Sequence, residues 1–136
     1  MDGKTNTVLA ILLALGLTQG ACDEGSRESE AAALIRQKDE IIAYAQTGQC
    51  VSGGACRFSP MGTKACGGPT GYIVYSTSLD TTKLLGMIAV YTSEQDAYNR
   101  KWGIASDCSV PPPPDSVGCA NGACVGYWGG IGRIWN

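Results

Sequence analysis

Seven cysteines and no histidine bound the chemistry open to this 136-residue chain. Without histidine the commonest general base is missing, and with it the Ser-His and Cys-His nucleophile systems and histidine-ligated zinc. The cysteines are Cys22, Cys50, Cys56, Cys66, Cys108, Cys119 and Cys124. From Cys50 onward the intervals are 5, 9, 41, 10 and 4 residues, with no C-x2-C pair to start a cysteine zinc site. Neither a metal centre nor a catalytic thiol is expected. The cysteines read as disulfides formed in an oxidising compartment.

Carboxylates are the acid–base apparatus that remains. Glu94 and Asp96 lie two apart on a helical stretch and therefore point to different sides. Asp107 borders Cys108 and a proline run, but an aspartate after a serine at a loop end is first a backbone cap. An enzyme would need a cleft where Asp107 meets a second carboxylate, or Lys64 with a strongly perturbed titration. Gly67-Gly68 and Gly129-Gly130 mark turns and form no phosphate-loop pattern. No catalytic residue and no cofactor are expected.

The elements that position these residues begin after a leader. Lys4 precedes an unbroken apolar run of ten residues, Val8 to Leu17. A membrane-spanning helix needs about 20, so the run has the length of a signal peptide's apolar region. The alternative is a buried N-terminal helix, but the small and polar residues Thr18 to Ala21 stand where a peptidase would cut. Ala21-Cys22 after that run resembles the lipobox of bacterial lipoproteins, which implies acylation of Cys22 and a lipid anchor in the membrane. Gln19 stands where that family usually has leucine, so cleavage by an ordinary signal peptidase near Gly20 or Ala21 is the competing reading. Parity favours the lipid: assigning Cys22 to an acyl group leaves six cysteines for three bridges. A free thiol or an intermolecular bridge at Cys22 is the other way to account for the odd count.

Removing residues 1–21 takes away Asp2 and Lys4 and leaves the net charge at −2. Cys22 to Thr47 holds six acids and three bases; Gly48 onward holds five acids and six bases. The body is nearly neutral, and nothing in it is basic enough to imply nucleic acid.

The expected organisation is a signal peptide at 1–21, a polar tether at 22–30 and a single disulfide-rich domain at 31–136. Leu34, Ile35, Ile41 and Ile42 predict a first helix at about 30–47, with Ser26 or Ser29 as its cap and Gly48 as its stop. Gln49 to Pro69 reads as loop, and Gly71 to Ser76 as a strand. A second helix runs from about Asp80, its N-cap, to Trp102, with Gly103 as C-cap. Its anchors are Leu84, Leu85, Ile88, Tyr91, Tyr98 and Trp102. Ile104 to Val110 is expected as a short strand, and Pro111 to Pro114 as an extended polyproline stretch. Asn121-Gly122 is the strongest short hairpin signal, and it sets Cys119 opposite Cys124. The Gly-rich, aromatic tail reads as a last edge strand.

The fold class is α+β: two helices packed on one face of a small antiparallel sheet, stapled by disulfides. Six cysteines allow 15 pairings. The preferred set is Cys50–Cys56, Cys66–Cys108 and Cys119–Cys124; alternatively, Cys119 and Cys124 point to the same face and bridge elsewhere.

Several short motifs follow one another from Cys66: CGGP at Cys66–Pro69, YxxYS at Tyr72–Ser76, AYN at Ala97–Asn99 and SDC at Ser106–Cys108. A proline run and C-x-N-G-x-C at Cys119–Cys124 complete the series. This order resembles a family of uncharacterised bacterial secreted proteins and lipoproteins. The resemblance implies a disulfide-bonded envelope protein and no particular activity.

Tyr72, Tyr75, Tyr91, Tyr98, Trp102, Tyr127 and Trp128 could build an aromatic binding face, but with a single phenylalanine in the chain they are first expected as core. Tyr127, Trp128 and Trp135 lie among glycines and, of all the aromatics, are those most expected at the surface, hence candidate binding residues. The leading functional expectation is a non-enzymatic envelope module that binds a protein or glycan partner. A second is a protease inhibitor whose loop, Cys108 to Cys119, carries Val110 and four prolines. An envelope enzyme working through carboxylates is the third.

Overall fold

The computed structural model describes residues 20–135. The expected leader falls outside them as far as residue 19, and so does the side chain of Cys22. Among the described residues no helix is long and apolar enough to cross a membrane. The chain divides into two compact units, residues 1–32 and 33–136. The described part of the first is helical throughout, and Gly25 to Ser29 are exposed. All the packing below belongs to the second unit.

Two helices and two antiparallel sheets make up the fold. Helix α1 (Gly20–Gln46) is followed by a 3-10 turn (Gly53–Ala55), strands β1 (Cys56–Met61) and β2 (Gly71–Ser76), and helix α2 (Thr81–Trp102). Strands β3 (Ser116–Ala120), β4 (Ala123–Trp128) and β5 (Ile131–Arg133) complete it. The expected tether is thus part of α1. Residues 22–30 contain no proline and are rich in helix-competent residues, so Ser26 and Ser29 lie within the helix and do not cap it.

The β1–β2 hairpin is the middle layer. Its pairing, Cys56↔Ser76 through Met61↔Gly71, puts alternate residues on opposite faces. One face carries Met61, Ile73 and Tyr75 into a cluster with Ile41 and Ala45 of α1 and Leu84, Ile88 and Tyr91 of α2. The other face sends Cys56 and Val74 into a second cluster with Cys50 and Cys124, against which Val117 and Trp128 pack. This explains why Ile73 to Ser76 are all buried: a strand covered on both faces reads as a continuous apolar run. The helices do pack on one face of a small sheet as expected, but a second sheet, β3-β4-β5, covers the other face. The chain end joins them. Val74 N donates to Ile134 O at 3.1 Å, beside the bridge Ile73↔Trp135.

Local chemistry accounts for the ends of α2. The Asp80 carboxylate accepts from Lys83 N, and Gly103, at φ 56°, turns left-handed so that its N–H reaches Asn99 O. Two of the expected apolar anchors face water instead: Leu85 on α2 is 43% exposed and Ile35 on α1 is 58% exposed. Each sits one residue off the buried stripe. Strand β1 lies within the stretch expected as loop. It carries Pro60, which an unpaired strand edge tolerates because no ladder bond is lost there. The stretch expected as a strand at Ile104 to Val110 is irregular, because no strand edge pairs with it. Asn121-Gly122 forms the expected tight turn, and Gly129-Gly130 forms another. All four residues have positive φ, as a two-residue hairpin requires.

The bridges correct the preferred pairing. Cys66 joins Cys108 as expected, but Cys50 joins Cys119 and Cys56 joins Cys124. Cys119 and Cys124 are indeed cross-strand partners in the β3–β4 ladder. They share the face that meets the β1–β2 layer, and each bonds outward across the interface, with Cα atoms 5.9 and 5.5 Å from their partners.

Two substitutions test this layering. Replacing Cys56 and Cys124 together by alanine is expected to lower stability by about 2–4 kcal/mol, read as a lower urea midpoint. Gly126→Ala would place a methyl group against Val74 and Trp128. It is expected to cost about 1–3 kcal/mol, whereas a midpoint equal to wild type would show that the two sheets do not press together there.

Candidate functional site

The segment between α2 and β3 has no regular structure, yet it is fastened along its length. The Cys66–Cys108 bridge fixes one point. Lys64, whose side chain is 17% exposed, projects its Nζ to Asp107 Oδ1 at 2.6 Å and Ser109 O at 2.5 Å. Ser109 Oγ donates to Asp107 Oδ2 at 2.7 Å. Val110 leans on the backbone of Gly68, where a Cβ would overlap it. The indole N–H of Trp128 donates to Pro112 O at 3.1 Å. Asp115 then secures the entry to β3: its N–H donates to Tyr127 O, and its carboxylate accepts from Gly129 N.

These contacts hold outward a short display of Asp107, Ser109, Val110, Pro112 and Pro113, all exposed. Val110 is 53% exposed. Proline φ angles are fixed by the ring, so the run Pro111–Pro114 adds stiffness of its own. The result is a rigid, mainly apolar loop.

Asp107 was expected to cap the backbone. It forms an ion pair instead, because the nearby ammonium of Lys64 outcompetes neutral N–H donors. The Lys64 hydrogen bond, followed by that of Ser109 and the Lys64 charge, holds the Asp107 carboxyl below the ordinary aspartate range. A carboxylate that is 74% exposed and kept ionised is a poor general acid at neutral pH. Asp107 thus meets Lys64, but no second carboxylate is bonded to it. Glu94 accepts a hydrogen bond from Gln37, and Asp96 pairs with Arg100 on the other side of α2. Burial raises the Tyr91 phenol, and a hydrogen bond with Gln95 partly offsets this.

Cys50, Cys56 and Cys124 bring their sulfur atoms within 4.8 Å of one another, as metal ligands would. In the disulfide state they carry no thiolate to offer a metal.

Tyr127, Trp128 and Trp135, the candidate binding aromatics, are half-buried. Trp128 is the peg that holds Pro112, and Trp135 packs against the helix-side cluster. Gly118 and Gly132 leave room for the Tyr127 ring, and Gly126 leaves room for Trp128. Among the aromatics expected in the core, Tyr75 and Tyr91 are fully buried, and Tyr72, Tyr98 and Trp102 are partly so. Lys64 and Ser109 were the residues that sequence reasoning undervalued. Their only signal was proximity to Cys66 and Cys108.

Protein-family models, curated proteins and solved structures give no match to this chain.

The ion pair makes a pH prediction. The Asp107 value is lower in the folded protein than in the unfolded chain. Its contribution to stability is therefore complete above the ordinary aspartate value of about 3.9 and is lost as pH falls through the lower folded value. In carbon-detected NMR titrations Asp107 should titrate below that ordinary value, and Lys64→Met should raise it toward that value, with the Ser109 hydrogen bond still holding it somewhat down. Trp128→Ala should lower thermal stability and loosen the 106–115 loop, seen as faster amide exchange at Asp115 and Gly129. Unchanged exchange would mean that the indole does not hold the loop.

Proposed function

We propose that this chain is a non-enzymatic binding module of the bacterial envelope, exported by its leader, anchored through lipid on Cys22 and stapled by three disulfides. Three bridges support an oxidising compartment. The leader pattern, the lipobox-like Ala21-Cys22 and the motif order from Cys66 to Cys124 support the location and the kinship with secreted proteins and lipoproteins.

One observation carries the binding role: an exposed irregular loop fastened by a disulfide, an ion pair and an indole hydrogen bond. Pre-organisation of this kind lowers the ordering entropy that a partner would otherwise have to offset. The partner surface is thus Ser109 to Pro113, with Val110 as its apolar centre. Of the three candidate aromatics, Trp128 and Tyr127 support this loop, and Trp135 packs against the helix-side cluster. The partner is a protein or a glycan.

A protease inhibitor is the second reading, favoured by the outward Val110 in a fixed loop. Its Val110–Pro111 bond is a tertiary amide, so an occupying protease would find a poor substrate there.

Photo-crosslinking tests the first reading. A benzoylphenylalanine placed at Val110 should trap a discrete partner in the native host, whereas the same probe at exposed Gln46 should not. Val110→Asp should weaken that partner's binding about tenfold, near 1.4 kcal/mol, with the thermal midpoint unchanged. Identical trapping from both positions would remove the loop as the recognition surface. Inhibition of purified serine or cysteine proteases by the intact domain would select the second reading; no inhibition at micromolar domain ends it. Release from the membrane fraction on Cys22→Ala is the expected result for the anchor.

A further inference from the structure

The three bridges stand in different surroundings. Cys50, Cys56 and Cys124 are buried, and Cys119 is half-buried. Cys66 and Cys108 are both exposed. The exposure extends to their neighbours, without a break from Ala65 to Gly68 and from Asp107 to Val110. Gly67 adds room, since nothing lies within 4 Å of where its Cβ would be. Exchange begins with a thiolate attacking a disulfide sulfur, so access decides which bridge reacts. While the domain stays folded, the two bridges between the sheets are shielded. Cys66–Cys108 is open.

The two sides of this bridge differ in what else holds them. The turn that carries Cys66 has its own hydrogen bonds, from Gly67 N to Lys64 O at 2.8 Å and from Lys64 N to Gly68 O at 2.9 Å. Cys66 N also donates to Ser106 Oγ at 3.3 Å. Its Sγ lies 3.5 Å from Ser106 O, within reach for an S–H to donate once the bridge is open. Cys66 therefore keeps its place as a thiol. Cys108 lies in a stretch, residues 104–114, with no regular structure. What remains beside it is the Lys64 clamp, whose carboxylate partner is 74% exposed. Water competes for an ion pair so placed. Opening the bridge loosens the loop and leaves the turn.

We propose that Cys66–Cys108 is a site of reversible thiol–disulfide exchange, opened by a dithiol reductant while the two buried bridges stay closed, and that its opening frees the 106–113 loop. One thiolate of the reductant attacks Cys66 Sγ, beside the open space at Gly67. The Cys66–Cys108 bond breaks, and Cys108 leaves with the electron pair and takes a proton from water. The second thiolate of the reductant then attacks the reductant sulfur of the mixed disulfide, and Cys66 leaves and is protonated in its turn. The protein gains two electrons and two protons, and the dithiol becomes a disulfide. Only the consequence for a partner rests on reading Ser109 to Pro113 as the recognition surface: a freed loop must be ordered on binding and so binds more weakly.

The test titrates the full, disulfide-bonded chain anaerobically with dithiothreitol, without denaturant, and locates thiols by alkylation and peptide mass spectrometry. Cys66 and Cys108 should be alkylated together at about tenfold less dithiothreitol than any other pair. Oxidised dithiothreitol should close them again. With this bridge open, the ¹⁵N order parameters of Asp107, Ser109 and Val110 should fall, and those of β3 and β4 should not. A double variant, Cys66→Ser with Cys108→Ser, should fold and show the same loosened loop without reductant. Three results would overturn the proposal: a buried bridge opening first or all three opening together, a loop that stays ordered with the bridge open, or a double variant that does not fold. The double variant should also bind the partner trapped through Val110 about tenfold more weakly than wild type. A loosened loop with undiminished partner binding would overturn the recognition reading and leave the exchange site standing.

Discussion

Two disulfides that run side by side across one interface are the constraint on which this structure depends. Cys50–Cys119 and Cys56–Cys124 tie the β3–β4 hairpin to the chain around β1, over sequence separations of 69 and 68 residues. In the chain-entropy account the first such closure contributes about 4 kcal/mol. The second then closes only a short ring through residues 50–56 and 119–124, contributing about 3 kcal/mol. Local bridges, Cys50–Cys56 and Cys119–Cys124, would contribute about 2 kcal/mol each and would leave the two sheets unlinked. A domain of this size has a modest core, so the cross-layer arrangement does more for the same four sulfurs.

The rest of the architecture is arranged around that join. Ser76 Oγ donates to Gln49 O at 2.6 Å and accepts from Ser78 N, fixing the chain just ahead of Cys50. Gly48 is buried where a side chain would press on Leu79 and Ser76, so the exit from α1 passes close over the end of β2. Cys50 N then donates to Gly122 O at 2.9 Å, bringing the hairpin tip to the bridge. With sheet two held in place, Trp128 can reach Pro112 and Asp115 can reach Gly129. The displayed loop is rigid because its supports stand on the stapled sheet at one end and on Lys64 at the other.

Much of this was legible in the sequence wherever local chemistry decides structure. Asp80 and Gly103 mark the ends of α2 within a residue, and Asn121-Gly122 marks its hairpin. The continuous apolar run from Tyr72 to Tyr75 marks a buried strand. What stayed hidden depends on tertiary partners. Strand β1 has a proline and no clean alternation, because its two faces meet different layers. The cysteine register showed Cys119 facing Cys124, but not the second layer to which both bond. Glycine beside an aromatic ring reads equally as openness or as room to fold in, and for Tyr127 and Trp128 it is room: Gly118, Gly132 and Gly126 lie under the two rings. The Lys64 clamp joins residues tens of positions apart, and no spacing rule brings such residues together.

Proteolytic fragments of the unreduced protein, taken from the native host with thiols blocked at lysis and identified by mass spectrometry, test the central claim most directly. The account predicts linked fragments joining Cys50 to Cys119 and Cys56 to Cys124, with none of these four sulfurs alkylated. Fragments closed within 50–56 and within 119–124, or the four cysteines recovered as free or metal-bound thiols, would contradict it.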